Sequence, residues 1–566
     1  MQACLDRLPH PYASGPHERF LIPRARALLV LLATATACSS PTPPEAEPSP
    51  TVTASPTSTP SSAPSKYARI ACALPREQIQ RVYNGYHPTR SGEIQFVPQE
   101  PNYVGNFASH SGPWDYLQEV PLFLYGPGHI QAAGTVGRKA TVADLAPTYA
   151  ELLDFAFDAP DGQPLTEAVD PATDPPKLIL TVVWDGGGRN VLDEYPKAWP
   201  IVRGLIPDGA WYEHATVASS PSVTPAIHSS IGTGAFPRHH GIVDLRFRIE
   251  GNVDPSAFQR ATLLLGPSLA DLYDVAHDNE PVIGMVGAEG TLGMIGHGAL
   301  WEGGDMDFAG AQRAGEWGLA ATNQQYYALP SYVPDHPGYD EIEPAADRED
   351  GTVDGEWYGL PLDTADSLTH APAYADYQTD VISTVIENEG FGKDDVTDLL
   401  YVNYKQIDKV GHKFSFPSIQ MEAAVSGSDR EFGDLIGILD QQVGEGEWVI
   451  ALTADHGSTP KPETTGAYVI DNFEMARDLL AAFDGDGDDR PVIQSPRVTE
   501  TWVDLAELEE HGHTLEDMAG FLMSYTRADN VVDPSTVPAD VAQEKLFAAA
   551  FPGAVLESLP CLETSP

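Results

Sequence analysis

Cysteine is scarce in this chain: four in 566 residues. That excludes a disulfide scaffold and any cysteine-built zinc module. Positive charge is scarce too, with 32 Lys and Arg against 82 Asp and Glu and a formal net charge of −50. A nucleic-acid-binding surface is therefore not expected, and an anionic substrate would have to be held locally, by bound metals. Long apolar runs are missing as well. Ala27 to Ala37, preceded by Arg24 and Arg26, has the length of a signal segment and falls short of a membrane span.

Residues 1–37 are accordingly expected to be a signal segment that takes Cys4 with it. The small residues before Cys38-Ser39-Ser40 look like a lipoprotein processing site, which makes a lipid anchor at Cys38 the expected membrane attachment. From Pro41 to Ser65 the chain is almost wholly Pro, Ser, Thr and Ala. It cannot bury a core, so 38–66 reads as an extended tether. The expected location is extracellular, lipid-anchored or secreted. The remaining length suits one large α/β domain with insertions, or two domains.

Three apolar runs end in potential metal ligands. Leu178 to Trp184 stops at Asp185-Gly186-Gly187, and Asp398 to Tyr404 leads to Asp408 and His412. Trp448 to Thr453 leads to Asp455-His456-Gly457. Each reads as a buried parallel strand delivering oxygen and imidazole ligands to its C-terminal end. In Ser219-Ser220-Pro221-Ser222-Val223-Thr224-Pro225, the proline after Thr224 sets a hydroxyl at the first turn of a helix. There, free N–H groups and the helix dipole favour an anion. Met421, Val425, Phe432, Leu435, Ile436 and Leu439 have the spacing of a core-facing helix.

Asp185, Thr224, Asp408/His412 and Asp455/His456, in that order, resemble the alkaline phosphatase superfamily. The pattern Thr224, His228, Thr233-Gly234, His240-Gly241-Ile242-Val243 is similar to its nucleotide pyrophosphatase/phosphodiesterase branch. The resemblance implies an α/β fold, a mostly parallel central sheet flanked by helices, with an inserted cap and a C-terminal α/β appendage. It also implies two zinc ions, or another divalent metal. One site would use Asp185, Thr224, Asp455 and His456, and the other Asp408, His412 and His110. Thr224 would be the nucleophile toward a small phosphate ester.

His110 enters through an apparent circular permutation. The pieces Ser109-His110-Ser111-Gly112, Pro121 to Tyr125 (with Val142 to Leu153, a βα unit) and Val142-Ala143-Asp144 follow the Asp-His-Gly motif in the resembling phosphatases, but here they precede it. Residues 67–170 are thus read as a transposed C-terminal-type segment. The core would comprise 175–245 and 396–460, with 246–395 as insertion or cap and 461–566 as appendage. Cys72 and Cys561 flank the proposed permutation point, and a disulfide between them is expected. His511 and His513 compete with His110; His228, His239, His240 and His297 are read as structural. Asp484 to Asp489 is calcium-like but lacks the closing glutamate of an EF-hand loop, and reads as a solvated turn.

Two departures bear on substrate. Leu245 stands where the family commonly has a phosphate-binding asparagine. Gly287 and Glu289 stand where monoesterase relatives carry a Lys-x-Arg pair. These favour a phosphodiester or nucleotide pyrophosphate over a phosphomonoester. A sulfatase would need cysteine or serine at Thr224. A degenerate, non-catalytic surface binding protein is the remaining alternative.

Overall fold

The computed structural model describes residues 65–562 apart from 106–107 and 486–489, and these described residues form one compact unit. The signal segment, most of the tether, Cys38 and most of the acidic turn after Asp484 lie outside the described residues. A ten-stranded sheet runs through the unit. Its strands are β2 (Leu122–Tyr125), β3 (Gly134–Thr141), β4 (Leu178–Trp184), β5 (Ala210–Thr216), β6 (Ile283–Ala288), β7 (Asp307–Arg313), β8 (Glu316–Trp317), β9 (Tyr327–Ala328), β10 (Asp398–Tyr404) and β11 (Trp448–Thr453). The order is β8-β7-β6-β10-β4-β11-β2-β5-β3, with β9 beside β7. All neighbours are parallel except where β2 meets β11 and β5, and where β8 meets β7.

The central strands read as unbroken apolar runs because both faces are covered. Leu178, Leu180, Val182 and Trp184 enter one core, while Ile179 and Val183 enter the other. Strands β10 and β11 alternate in the same way: Leu400, Val402, Ile450 and Leu452 lie on the first face, and Leu399, Tyr401, Val449 and Ala451 on the second. The expected core helix is present as Ile419–Leu439, capped by Ser418, with Met421, Val425, Phe432, Leu435 and Leu439 buried and Ile436 at its margin.

Three expectations about organisation are corrected. Residues 246–395 are not simply an insertion: they supply β6, β7, β8 and β9 to the main sheet, and the helix Pro372–Glu389 lies among them. Pro121 to Leu153 is not a βα unit, because β3 intervenes and β2 runs against its neighbours. The segment 67–170 divides, since β1 (Ile94–Pro98) leaves the main sheet. It joins β12 (Ile493–Pro496), β13 (Glu500–Val503) and β14 (Phe547–Pro552) in an antiparallel sheet of order β12-β13-β1-β14. This second sheet has its own core, which includes Ile79, Phe96, Met475, Met518 and Phe551. The 461–566 appendage is therefore completed by residues from the other end of the chain. Cys72 and Cys561 form a disulfide there.

Glu500 lies buried in this second sheet. Its Oε2 accepts from Gly92 N and Gln95 Nε2, both at 2.7 Å. Burial, with Asp244 nearby, pushes its carboxyl up to about 8, against an ordinary value of 4.5. The folded chain thus keeps a proton that the unfolded chain has lost, and stability falls as pH rises from about 4.5 through about 8. Glu500→Gln is expected to remove that loss, gaining up to about 4 kcal/mol on wild type at pH 8.5 relative to pH 5. Denaturant unfolding at the two pH values checks this, and an unchanged difference would contradict it.

Candidate metal centre

Strands β10, β4 and β11 are neighbours, so their C-terminal ends bring Lys405, Asp185 and Asp455 together. Asp408 and His412 follow on the helix Gln406–Phe414. Gly186 makes the close approach possible. It has φ +73, and a Cβ there would lie 2.9 Å from Asp408 Cα, a turn that glycine takes without strain. Its amide donates to Asp455 Oδ1 at 3.0 Å.

Thr224 opens the helix Thr224–Thr233 and is half-buried. The expected group of free amides is reduced here, because Pro225 has none and Ala226 N donates to Val223 O at 3.1 Å. Among the described residues no partner is found for the Thr224 amide. His110 is brought beside this helix by paired bonds: its Nδ1 lies 2.9 Å from Ser222 O, and Ser222 Oγ donates to His110 O at 2.7 Å. Its ring stacks on His456 with centroids 3.4 Å apart. Of its sequence competitors, His511 pairs with Glu507 and His513 packs edge-on against Phe483.

His456 Nε2 stands 3.6 Å from Asp185 Oδ1 and 3.4 Å from Asp455 Oδ2. Donors about 2.0–2.1 Å from a tetrahedral zinc are spaced by about 3.3–3.4 Å. All three atoms are inaccessible; Asp455 Oδ2 and His456 Nε2 have no hydrogen-bond partner, while Asp185 Oδ1 faces the Lys405 ammonium at 2.8 Å. His456 Nδ1 lies 3.0 Å from Gly457 O, which directs the Nε2 lone pair inward. Around Asp408 Oδ1 stand His412 Nε2 at 3.2 Å, His110 Nε2 at 3.7 Å and His456 Nε2 at 3.8 Å. The donor set and its orphaned atoms fit divalent ions of the zinc type.

The electrostatics agree with that fit. Burial, then Asp455, pushes the Asp185 carboxyl up to about 6. Asp455 is likewise pushed up to about 6, by burial first and against the pull of Lys405. Burial would also raise Asp408, but Lys405 and His412 overturn it and hold that carboxyl well below its usual range. Burial and the other two histidines keep His110 neutral far below its ordinary value, the form that ligates a metal.

Sequence reasoning missed Lys405 and Asn403. Lys405 Nζ lies 2.8 Å from Asp185 Oδ1 and 2.9 Å from Asp408 Oδ2, and donates to Thr224 Oγ1 at 3.0 Å. Its signal was a cation at a strand end, three residues before Asp408 and hence on the same helical face. Asn403 Nδ2 donates to Asp185 Oδ2 at 2.9 Å and approaches His228 Nε2 at 3.1 Å. His228 lies close enough to Asp185 and Asp455 to share a metal with them. Its Nδ1 also sits 2.8 Å from Thr224 O, so both ring nitrogens have polar neighbours. His239, His240 and His297 are tied to Asp161, Ser230 and Asp271. Glu289 is turned toward Ala320 N, Asn323 Nδ2 and Arg313 Nε, so its carboxylate is a structural acceptor. Gly287 packs against Asn403, where a Cβ would come within 2.7 Å. Leu245 lies beside Asp244, whose carboxylate is paired with Arg497.

Adding zinc to chelator-stripped protein is expected to raise the thermal midpoint by several degrees, since ligand at about 100 Kd stabilises by about 2.7 kcal/mol. Asp185→Asn/Asp455→Asn should lose most of that response. Calorimetry of both proteins checks this, and an equal shift in the two would contradict the assigned donors.

A family model described as type I phosphodiesterase / nucleotide pyrophosphatase matches residues 179–542. Alkaline phosphatase PafA of Elizabethkingia meningoseptica is 31% identical over 147 residues, 25% of this chain and 26% of that protein. Alkaline phosphatase PhoV of Synechococcus elongatus is 22% identical over 339 residues, covering 51% and 60%. Alkaline phosphatase PhoK of a Sphingomonas species is 25% identical over 331 residues, covering 52% and 57%. The chain thus spans from about a quarter to three-fifths of these relatives' length. The crystal structure of wild-type PafA superposes with a TM-score of 0.48 at 19% identity, covering 67% of this chain and 85% of that one.

Proposed function

We propose that this chain, which belongs to the type I phosphodiesterase / nucleotide pyrophosphatase family, hydrolyses phosphodiester or nucleotide pyrophosphate bonds with Thr224 as nucleophile and two zinc ions. The observation that carries the reading is the convergence of Asp185 Oδ1, Asp455 Oδ2 and His456 Nε2, all buried, beside Thr224. Asp185, Thr224, Asp455 and His456 would hold one ion, and Asp408, His412 and His110 the other. Bound there, such ions lower the pKa of a coordinated hydroxyl and neutralise charge on attacking and leaving oxygens.

The chain's own groups divide the remaining work. Asp185 and Asp408 hold Lys405 in its charged form, overriding burial. Its ammonium donates to Thr224 Oγ1 and favours the alkoxide. That oxygen loses its proton to water and attacks phosphorus; the bond to the leaving oxygen breaks, the leaving oxygen takes a proton from water, and a phosphothreonine forms. Water then cleaves the phosphothreonine and regenerates the hydroxyl. The Thr224 amide at the helix start is the available donor to a phosphoryl oxygen, in place of the asparagine that Leu245 replaces. Asn403, bonded to Asp185 and His228, keeps the strand-end carboxylate oriented.

A second reading, a phosphomonoesterase, is favoured by one observation: the Lys405 ammonium beside Thr224 supplies positive charge that a dianionic ester needs. The absence of cations at Gly287 and Glu289 weighs against it. His110 belongs to the site under a permuted connectivity, supported by the insertion of β2 beside β11 and by a family match that begins only at residue 179. The Cys72–Cys561 disulfide supports export to an oxidising compartment, with Cys38 as the expected lipid anchor.

Hydrolysis of a bis-aryl phosphodiester against an aryl phosphomonoester, with zinc, tests the reading. Preference for the diester is expected, and preference for the monoester would favour the second reading. Thr224→Ala should lower kcat at least about 10³-fold. Lys405→Ala should lower kcat/KM by about 10²-fold while zinc content holds. Undiminished turnover in Thr224→Ala would remove the proposed nucleophile.

A further inference from the structure

Away from that centre, three more carboxylates converge where the helix Leu269–Ala276 meets the chain leading into β7. Asp274 lies on the helix. Asp305 and Asp307 flank the exposed Met306 at the end of Glu302-Gly303-Gly304-Asp305-Met306-Asp307. One oxygen from each lies within 4.8 Å of the other two. Asp305 is exposed, but Asp274 and Asp307 keep only 4% and 8% of their surface.

What sets the cluster apart is that nothing among the described residues balances it. Among the described residues, no Lys, Arg or His pairs with any of the three, and no hydrogen bond reaches their carboxylates. Asp274 Oδ1 is wholly inaccessible and has no partner. Asp271, one turn earlier on the same helix, shows the contrast. It accepts from Ser268 N at 2.8 Å and His297 N at 2.7 Å, and its Oδ2 meets His297 Nδ1 at 2.9 Å. Two buried carboxylates left without a counter-charge are strongly unfavourable. Accordingly, burial pushes Asp274 up to about 7 and holds Asp307 well above its ordinary range, with the neighbouring acids adding to both shifts.

Either protons or a cation must relieve this, and the geometry favours the cation. A shared proton can join only two of the carboxyls, whereas a bound ion would use an oxygen from all three. We propose that Asp274, Asp305 and Asp307 form a calcium-type site distinct from the Asp185/Asp408 centre. An all-oxygen donor set without histidine or cysteine suits a hard cation rather than zinc. A glycine-containing turn, with Gly303 at φ +93, suits the irregular, high coordination of calcium better than magnesium's strict octahedron. The site would fasten the start of β7 to the helix, next to an existing tie in which Asn279 Nδ2 donates to Gly303 O at 3.0 Å.

Titration calorimetry of CaCl2 into the zinc-loaded full chain, freed of calcium, tests this at pH 7.5. One calcium per chain is expected, with Kd of about 10⁻⁵–10⁻³ M, together with a rise in thermal midpoint. Asp274→Asn/Asp307→Asn should weaken binding at least tenfold and lose that rise. Asp305→Asn, an exposed change that should leave folding intact, should weaken binding several-fold. Absence of calcium heat in wild type would overturn the proposal, as would binding unchanged in Asp305→Asn. So would a wild type that takes no cation while the double variant is more stable, the result expected of protonated carboxylates.

Discussion

The mutual repulsion of Asp185, Asp408 and Asp455 is the constraint on which the site depends. Three carboxylates, each fully or nearly buried, stand at the ends of adjacent structural segments. Among the described residues only one Lys or Arg side chain, Lys405, pairs with two of them. No apolar packing can make such an arrangement stable by itself. It persists because parallel strands with rigid apolar bodies hold their C-terminal ends in one place, and because bound cations would supply the missing charge.

The surroundings follow from that requirement. Gly186 permits the close turn, Asn403 fixes the Asp185 carboxylate, and Gly457 O orients His456. The reciprocal bonds between His110 and Ser222 carry a histidine from a remote part of the sequence into the site. In each case a backbone or amide group determines which atom faces inward. The acidic cluster at Asp274 follows the same logic in a different chemistry: oxygen donors alone, nearer the surface, and no nucleophile.

Much of this was legible in the sequence. The runs ending at Asp185 and Asp455 stand out because a strand covered on both faces is apolar at every position, and Thr224-Pro225 announces a helix start. Helix 419–439 was legible from its spacing, as was the Cys72–Cys561 pair from its position. Other features were hidden for physical reasons. Strand β7, Asp-Phe-Ala-Gly-Ala-Gln-Arg, has no β-branched residue, so 246–395 read as an insertion. The pairing of β1 with β13 and β14 joins residues about four hundred positions apart, which no local pattern reports. Lys405 was overlooked because a lysine beside a strand end normally signals a solvated surface, and only the fold shows its ammonium against Asp185, Asp408 and Thr224.

The most direct measurement is an anomalous difference map collected at the zinc edge from crystals of the zinc-soaked protein. Two peaks are expected, one bounded by Asp185, Thr224, Asp455 and His456, the other by Asp408, His412 and His110. A map without peaks there, with Lys405 Nζ still bonded to Asp185 and Asp408, would contradict a two-metal centre and leave the lysine as the sole counter-charge.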